Sequence, residues 1–150
     1  MDRKIIAKLV KFCAYQERCL IEIKTKLKTF HVSKEEANEI IDYLEQENYL
    51  NEERFAKAFA RDKFNLNEWG KIKIFFHLQQ KKIKPINIER AFQEITDDLY
   101  FEKLSKLMSR KKEELQEKET DKEILKFKVW NYAKQKGFEV ENIKEIWKKM

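Results

Sequence analysis

The chain reads as an all-α protein, and three observations say so. Only two glycines and one proline occur in 150 residues, too few for the hairpins of a β fold or for a phosphate-cradling glycine loop. Apolar residues recur at spacings of three and four along nearly the whole length, the period of helices with one inward face. Residues that cap helices (Ser33, Asn51, Thr96, Thr120) stand just ahead of several such runs.

Ile5, Ile6, Leu9, Phe12 and Cys13 mark a short first helix. A second is expected over Glu17–Phe30, with Leu20, Ile23 and Leu27 inward. Ser33 and Glu36 form a capping box, S-x-x-E, ahead of a third helix carrying Ala37, Ile40, Ile41 and Leu44. Asn51 caps a fourth, and Glu52 and Glu53 favour its positive end. Phe55, Ala56, Phe59 and Ala60 face in; Arg54, Lys57 and Arg61 share the opposite face and are expected to be replaceable without disturbing the core. A fifth helix is expected from Glu68 to Lys82, capped by Asn67, with Ile72, Ile74, Phe75, Phe76 and Leu78 inward and Lys73, His77, Gln80 and Lys81 on its polar arc.

Pro85 suits the first turn of a sixth helix, where its missing N–H costs nothing; Ile88, Ala91, Phe92 and Ile95 face in. Thr96, Asp97 and Asp98 open a long seventh helix, ending near Lys118, with Tyr100, Phe101, Leu104, Leu107 and Met108 inward. Its far end, SRKKEELQEKE, is charged all round and expected to project into solvent. Thr120 and Glu123 make a second capping box for an eighth helix through Ile124, Phe127, Val129, Trp130 and Ala133. Gly137 ends it as a left-handed cap, and a last helix presents Ile143, Ile146 and Trp147.

Nine helices in threes suggest an internal repeat. Aligning Val32, Ile83 and Phe138 brings Ile23, Ile74 and Val129 into register, then Leu27, Leu78 and Ala133, then Ala37, Ile88 and Ile143. Ile40, Ala91 and Ile146 follow, as do Ile41, Phe92 and Trp147. The reading is three tandem three-helix units, residues 1–49, 50–95 and 96–150, packed into an elongated array, curved or straight, because each is too small to bury a core well alone. Phe75, Phe92 and Trp147, at apolar repeat positions, are expected in the core.

Charge is uneven. The net charge is +6, and Leu50–Lys84 alone holds nine basic residues (Arg54, Lys57, Arg61, Lys63, Lys71, Lys73, Lys81, Lys82, Lys84) against four acidic ones (Glu52, Glu53, Asp62, Glu68). A surplus so confined suggests a face that meets a polyanion, with solvated lysines as the plainer alternative. Trp69 is either a stacking platform or a core aromatic. With 42% apolar and 40% charged residues the chain is too hydrophobic for disorder and lacks an uncharged run long enough to cross a membrane. The opening MDRKIIAKLVKF carries charges inside its apolar part, unlike a secretory signal. Cys13 and Cys19 lie six apart with no histidine nearby, so neither a disulfide framework nor a zinc site is indicated, and a reducing cytoplasm fits. His31 and His77 stand alone, no nucleophile has a base close in sequence, and neither an enzyme nor a cofactor is indicated. The third helices of the units, such as SKEEANEIIDYLEQEN, carry acidic residues, which disfavours base readout of the helix-turn-helix kind.

Two motifs carry a family resemblance. Arg18-Cys19-Leu20-Ile21-Glu22-Ile23-Lys24-Thr25-Lys26-Leu27 resembles R-S-x-x-E-L-x-x-K-L of the RecX family, and Leu50-Asn51-Glu52-Glu53-Arg54-Phe55-Ala56 resembles its L-D-D-x-x-F-A. Gly70-Lys71-Ile72-Lys73 continues toward a helix similar to its R-I-x-x-E-L-x-x-K-G-I, and Lys136-Gly137-Phe138 is similar to its R-G-F. Cys19 stands where serine is usual, Asn51 where aspartate is, and His31 and Lys82 where glycine is. The resemblance implies three tandem three-helix repeats and a cytoplasmic, monomeric, non-enzymatic regulator of RecA. Such a protein binds the RecA filament on single-stranded DNA and restrains filament growth, ATP hydrolysis and strand exchange. A nucleic-acid-binding helical module, contacting single- or double-stranded DNA without a recombinase, is the alternative.

Overall fold

A computed structural model describes all residues 1–150. It holds nine α-helices and no strand: α1 (Arg3–Tyr15), α2 (Leu20–Lys28), α3 (Lys34–Gln46), α4 (Glu52–Asn65), α5 (Lys71–Gln80), α6 (Pro85–Gln93), α7 (Asp97–Gln116), α8 (Lys122–Gln135) and α9 (Val140–Lys148).

Local chemistry starts most of them. The side chains of Asp2, Ser33, Asn51 and Thr96 accept hydrogen bonds from first-turn N–H groups of α1, α3, α4 and α7, satisfying donors that have no partner within the helix. The starts of α2, α8 and α5 differ from the sequence reading, and so does the capping box of α3. α2 begins at Leu20, because Cys19 is extended and donates its N–H to Glu22 Oε1 at 3.0 Å. α8 is capped by Asp121 rather than Thr120, since the Asp121 carboxylate reaches the N–H groups of both Glu123 and Ile124. The box ahead of α3 is half made: Ser33 accepts from Glu36, but the Glu36 carboxylate accepts instead from the Asp2 N–H at 3.3 Å, tying α1 to α3.

The largest difference is α5, which starts at Lys71 and not after Asn67. Glu68 turns left-handed (φ 58°) and Gly70 is the N-cap. Its cap partners lie in the third unit. Gly70 N–H donates to Lys136 O (2.8 Å), Lys71 N–H to Tyr100 Oη (2.9 Å) and Ile72 N–H to Gly137 O (3.0 Å). A Cβ at Gly70 would overlap the Gly137 carbonyl, and one at Gly137 would overlap Lys73. The chain's two glycines thus face each other across one junction.

The repeat register holds in space. Ile23, Ile74 and Val129 are fully buried, and Leu27, Leu78 and Ala133 nearly so. His31 (φ 55°), Lys82 (60°) and Gly137 (98°), one register position, all turn left-handed after the second helix of their unit. The core, however, is divided unequally. Eight buried residues of α1–α3 and the turn at Leu50 form one cluster. A second cluster of 21 runs unbroken through α4–α9 and includes Cys19. Units two and three therefore share a core, and unit one touches it through Cys19 and Ile21. The accessible surface, 9998 Å², exceeds the roughly 8200 Å² expected of a compact monomer of this mass, as an extended array requires.

Several residues read as inward point outward: Ile72 (55% exposed), Phe75, Phe76, Phe101, Ile124 and Phe127 (70% exposed). In α5 the run IKIFF offers apolar groups on every side, and only Ile74 and Leu78 reach the core. Phe75 is thus corrected to a surface residue, while Phe92 and Trp147 are half-buried against the shared core. The charged end of α7 does not project freely. Leu115 packs on the core, and Lys111 and Lys112 lie over the rings of Tyr132 and Trp147 at 4.6 and 5.3 Å.

Candidate polyanion-binding face

The basic candidates fall in separate places. One group converges. Trp69 just ahead of α5, Lys73 and His77 on it and Lys81 at its C-cap recur every fourth residue, beside Phe59 and Lys63 one turn apart on α4. Lys63 lies 5.0 Å and Lys73 4.7 Å from the Trp69 ring, and Lys63 and Lys81 lie 5.5 and 5.9 Å from Phe59. Trp69 packs on His77 at 4.5 Å and edge-on to Phe59 at 6.3 Å. Trp69 is half-buried against the core, so the two readings of it meet in one residue. None of the three lysines is paired with a carboxylate. Their ammonium groups rest on negative ring faces, which leaves their charge available to an outside anion.

His77 and Phe59 were absent from the candidates, although the spacing of four that finds them stands in the sequence. Burial lowers the His77 pKa, and the neighbouring Lys73, Lys63 and Lys81 lower it further. The imidazole is therefore neutral near pH 7 and serves as a ring, not as a fourth cation. On one side the group is bounded by acid: a cleft between the first two units sets Glu17, Glu22 and Asp62 beside Lys63 and Lys81.

The remaining candidates do other work. Arg54 Nε pairs with Glu17 at 2.5 Å, and its Nη2 donates to the carbonyls of Asn48 (2.9 Å) and Tyr49 (3.3 Å). This side chain fastens unit one to unit two, so reversing it disturbs a junction. Lys57 pairs with Glu53 (3.6 Å) and Arg61 with Asp62 (3.7 Å); both line a groove with Asn65 and Glu94 on another side of α4. Lys71 lies over Tyr100 at 4.7 Å, close to the second junction. Lys82 and Lys84 are exposed, and the backbone N–H of Lys84 donates to Glu52 Oε2.

No three His, Cys, Asp or Glu side chains gather as a metal group, and no helix is long and apolar enough to cross a membrane. Cys13 and Cys19 are free and buried, and burial raises both thiol pKa values, away from reactivity. Tyr100 is the one strongly perturbed group. Burial, then its hydrogen bond to Glu139, raises its pKa far above the ordinary value. It holds the second junction rather than any reaction centre.

Fold and face together define a helical-repeat protein, built of three-helix units and carrying an aromatic-backed cationic surface. The second three-helix domain of RecX, as a family model, matches residues 51–91. Regulatory protein RecX of Finegoldia magna is 32% identical over 136 residues, 90% of this chain and 66% of that protein. That of Clostridioides difficile is 30% identical over 111 residues, 74% and 51% of the two lengths. A crystal structure of RecX from Lactobacillus salivarius matches with a TM-score of 0.85 at 23% identity, over 97% of this chain and 94% of that one. A second, of regulatory protein RecX, gives 0.85 over 97% and 72%; at such identity the structures speak for the fold. The chain belongs to the RecX family. It spans about half to two thirds of the length of these curated relatives.

Proposed function

We propose that this protein is a non-enzymatic regulator of the RecA recombinase, binding the filament that RecA forms on single-stranded DNA and restraining its growth, ATP hydrolysis and strand exchange. Its working units are residues 1–49, 50–95 and 96–150, with the middle one as the main contact. The observation that carries this is the unpaired Lys63–Lys73–Lys81 group around Trp69 and Phe59: an extended array with one strongly cationic face suits a long anionic partner. Co-sedimentation with RecA–DNA filaments tests it. Lys73→Glu with Lys81→Glu is expected to abolish most binding, because two reversals turn attraction into repulsion, and the loss deepens at low salt. Binding that ignores both reversals and salt overturns the proposal.

The second reading is a nucleic-acid module without a recombinase, favoured by the Trp69–His77 ring pair set among lysines, which is the chemistry of single-strand contact. It requires tight binding to bare DNA that falls steeply with salt. Sedimentation with the filament but not with DNA alone decides for the first.

A further inference from the structure

The second and third units carry the same short element on the second helix. Glu68-Trp69-Gly70-Lys71-Ile72-Lys73-Ile74-Phe75 aligns with Glu123-Ile124-Leu125-Lys126-Phe127-Lys128-Val129-Trp130 in the register that the buried positions define, both reading E-Φ-x-K-Φ-K-Φ-aromatic with Gly70 or Leu125 at x. The β-branched residue of each, Ile74 and Val129, is fully buried, while the residue between the lysines faces solvent: Ile72 is 55% and Phe127 70% exposed. The aromatic beyond is partly open in both, Phe75 at 40% and Trp130 half-buried. Unit one has Ile21 and Lys24 at these places, with Leu20 and Glu22 where the lysines stand, and Ile21 is packed against the shared core.

A single exposed apolar side chain is ordinary. The same one, set between the same two lysines in two consecutive units, is a surface presented twice. Two further features give it the character of an interface. Around Phe127 a groove along α8 is lined by Lys126, Trp130, Asn131, Lys134 and Glu123, and the Trp130 indole N–H is buried without an acceptor. On α5 the acidic member of the element is already neutralised, Glu68 pairing with Arg110 at 2.7 Å, and on α8 Lys128 pairs with Glu119 at 3.5 Å, so the cations left unpaired beside the two exposed apolar side chains are Lys71 and Lys73 on α5 and Lys126 on α8.

We propose that α5 and α8 dock on two successive, identical sites of one polymeric partner, each an apolar pocket rimmed by carboxylates. Ile72 with Phe75 fills one, Phe127 with Trp130 the next, and a carbonyl or carboxylate of the second site accepts from the Trp130 N–H. The occupant argued for is the protein surface of the recombinase filament, because only a repeating partner meets a repeated element twice; the inference therefore rests on the function proposed above. Two linked sites multiply in affinity when both are engaged and lose that gain when the partner is dispersed.

The test uses the full chain carrying Ile72→Ser, Phe127→Ser, or both, with circular dichroism melts to establish folding. On RecA filaments each single change is expected to weaken binding about tenfold and the pair about a hundredfold. On dispersed RecA without DNA or nucleotide, binding is weak throughout and the double change is no worse than the more damaging single one. Folded variants that bind filaments as the parent does overturn this inference and leave the proposed function standing. A parent chain that does not bind filaments overturns both. Two other results overturn the inference in favour of another occupant: a dimer that Phe127→Ser converts to monomer, which makes the face a contact between copies, or equal loss of binding to bare single-stranded DNA.

Discussion

His31 and Lys82 occupy a backbone conformation that L-residues with a Cβ adopt at a cost of about 1–2 kcal/mol, less the extra chain entropy that glycine loses on folding. Gly137, at the same repeat position, avoids that cost. Lys82→Gly is therefore expected to raise stability by about 0.5–1 kcal/mol in chemical denaturation, and unchanged stability would show that the Lys82 side chain contributes elsewhere. Gly70→Ala works the other way. Its Cβ meets the backbone of Gly137 rather than a flexible side chain, so α5 loses the carbonyls that cap it, at about 3–5 kcal/mol. His77 adds a pH dependence. Its folded pKa lies below the ordinary 6.5, so the unfolded chain takes up a proton first and stability is lost as pH falls through that value. The loss stops once folded His77 protonates in turn. His77→Gln is expected to flatten this part of a stability–pH curve, and an unchanged slope across pH 5–7 would refute the assignment.

Helix starts written in their own first turn were legible: Ser33, Asn51, Thr96 and Pro85 all sit where the sequence put them. α5 was not, and the reason is physical. Asn67 and Glu68 look like a local cap, yet the groups that satisfy the first N–H donors of α5 are Lys136, Gly137 and Tyr100, distant in sequence. The same helix hid its inward face, because a run apolar on every side has no preferred one until its neighbours are in place. The cationic site was half legible. Lysines could be counted from composition, but which were already paired, as Arg54, Lys57 and Arg61 are, depends on carboxylates that only folding brings near. Arg54→Glu tests this distinction. It should reduce hydrogen-exchange protection in α1–α3 by freeing the first junction, whereas Lys73→Glu should leave protection there unchanged.

The uneven division of the core sets how the array comes apart. Eight buried residues around α1–α3 are few to hold a unit of this size, while 21 tie α4–α9 together. The amides of α1–α3 are expected to exchange first, by sub-global opening, and those of Ile74, Leu104 and Val129 only with complete unfolding. Uniform protection throughout would mean that the two cores unfold as one.

The facing of Gly70 and Gly137 also determines mechanics. Backbone meets backbone there, with the buried Tyr100 hydroxyl bonded beside it, whereas the other junction is held by a long arginine and a few apolar contacts. The molecule thus has one stiff joint and one compliant joint in series. Thermal bending concentrates at the compliant one. On a support that stretches or twists, unit one follows the movement, while α5 and α8 keep a constant separation, like two teeth cut in a single block.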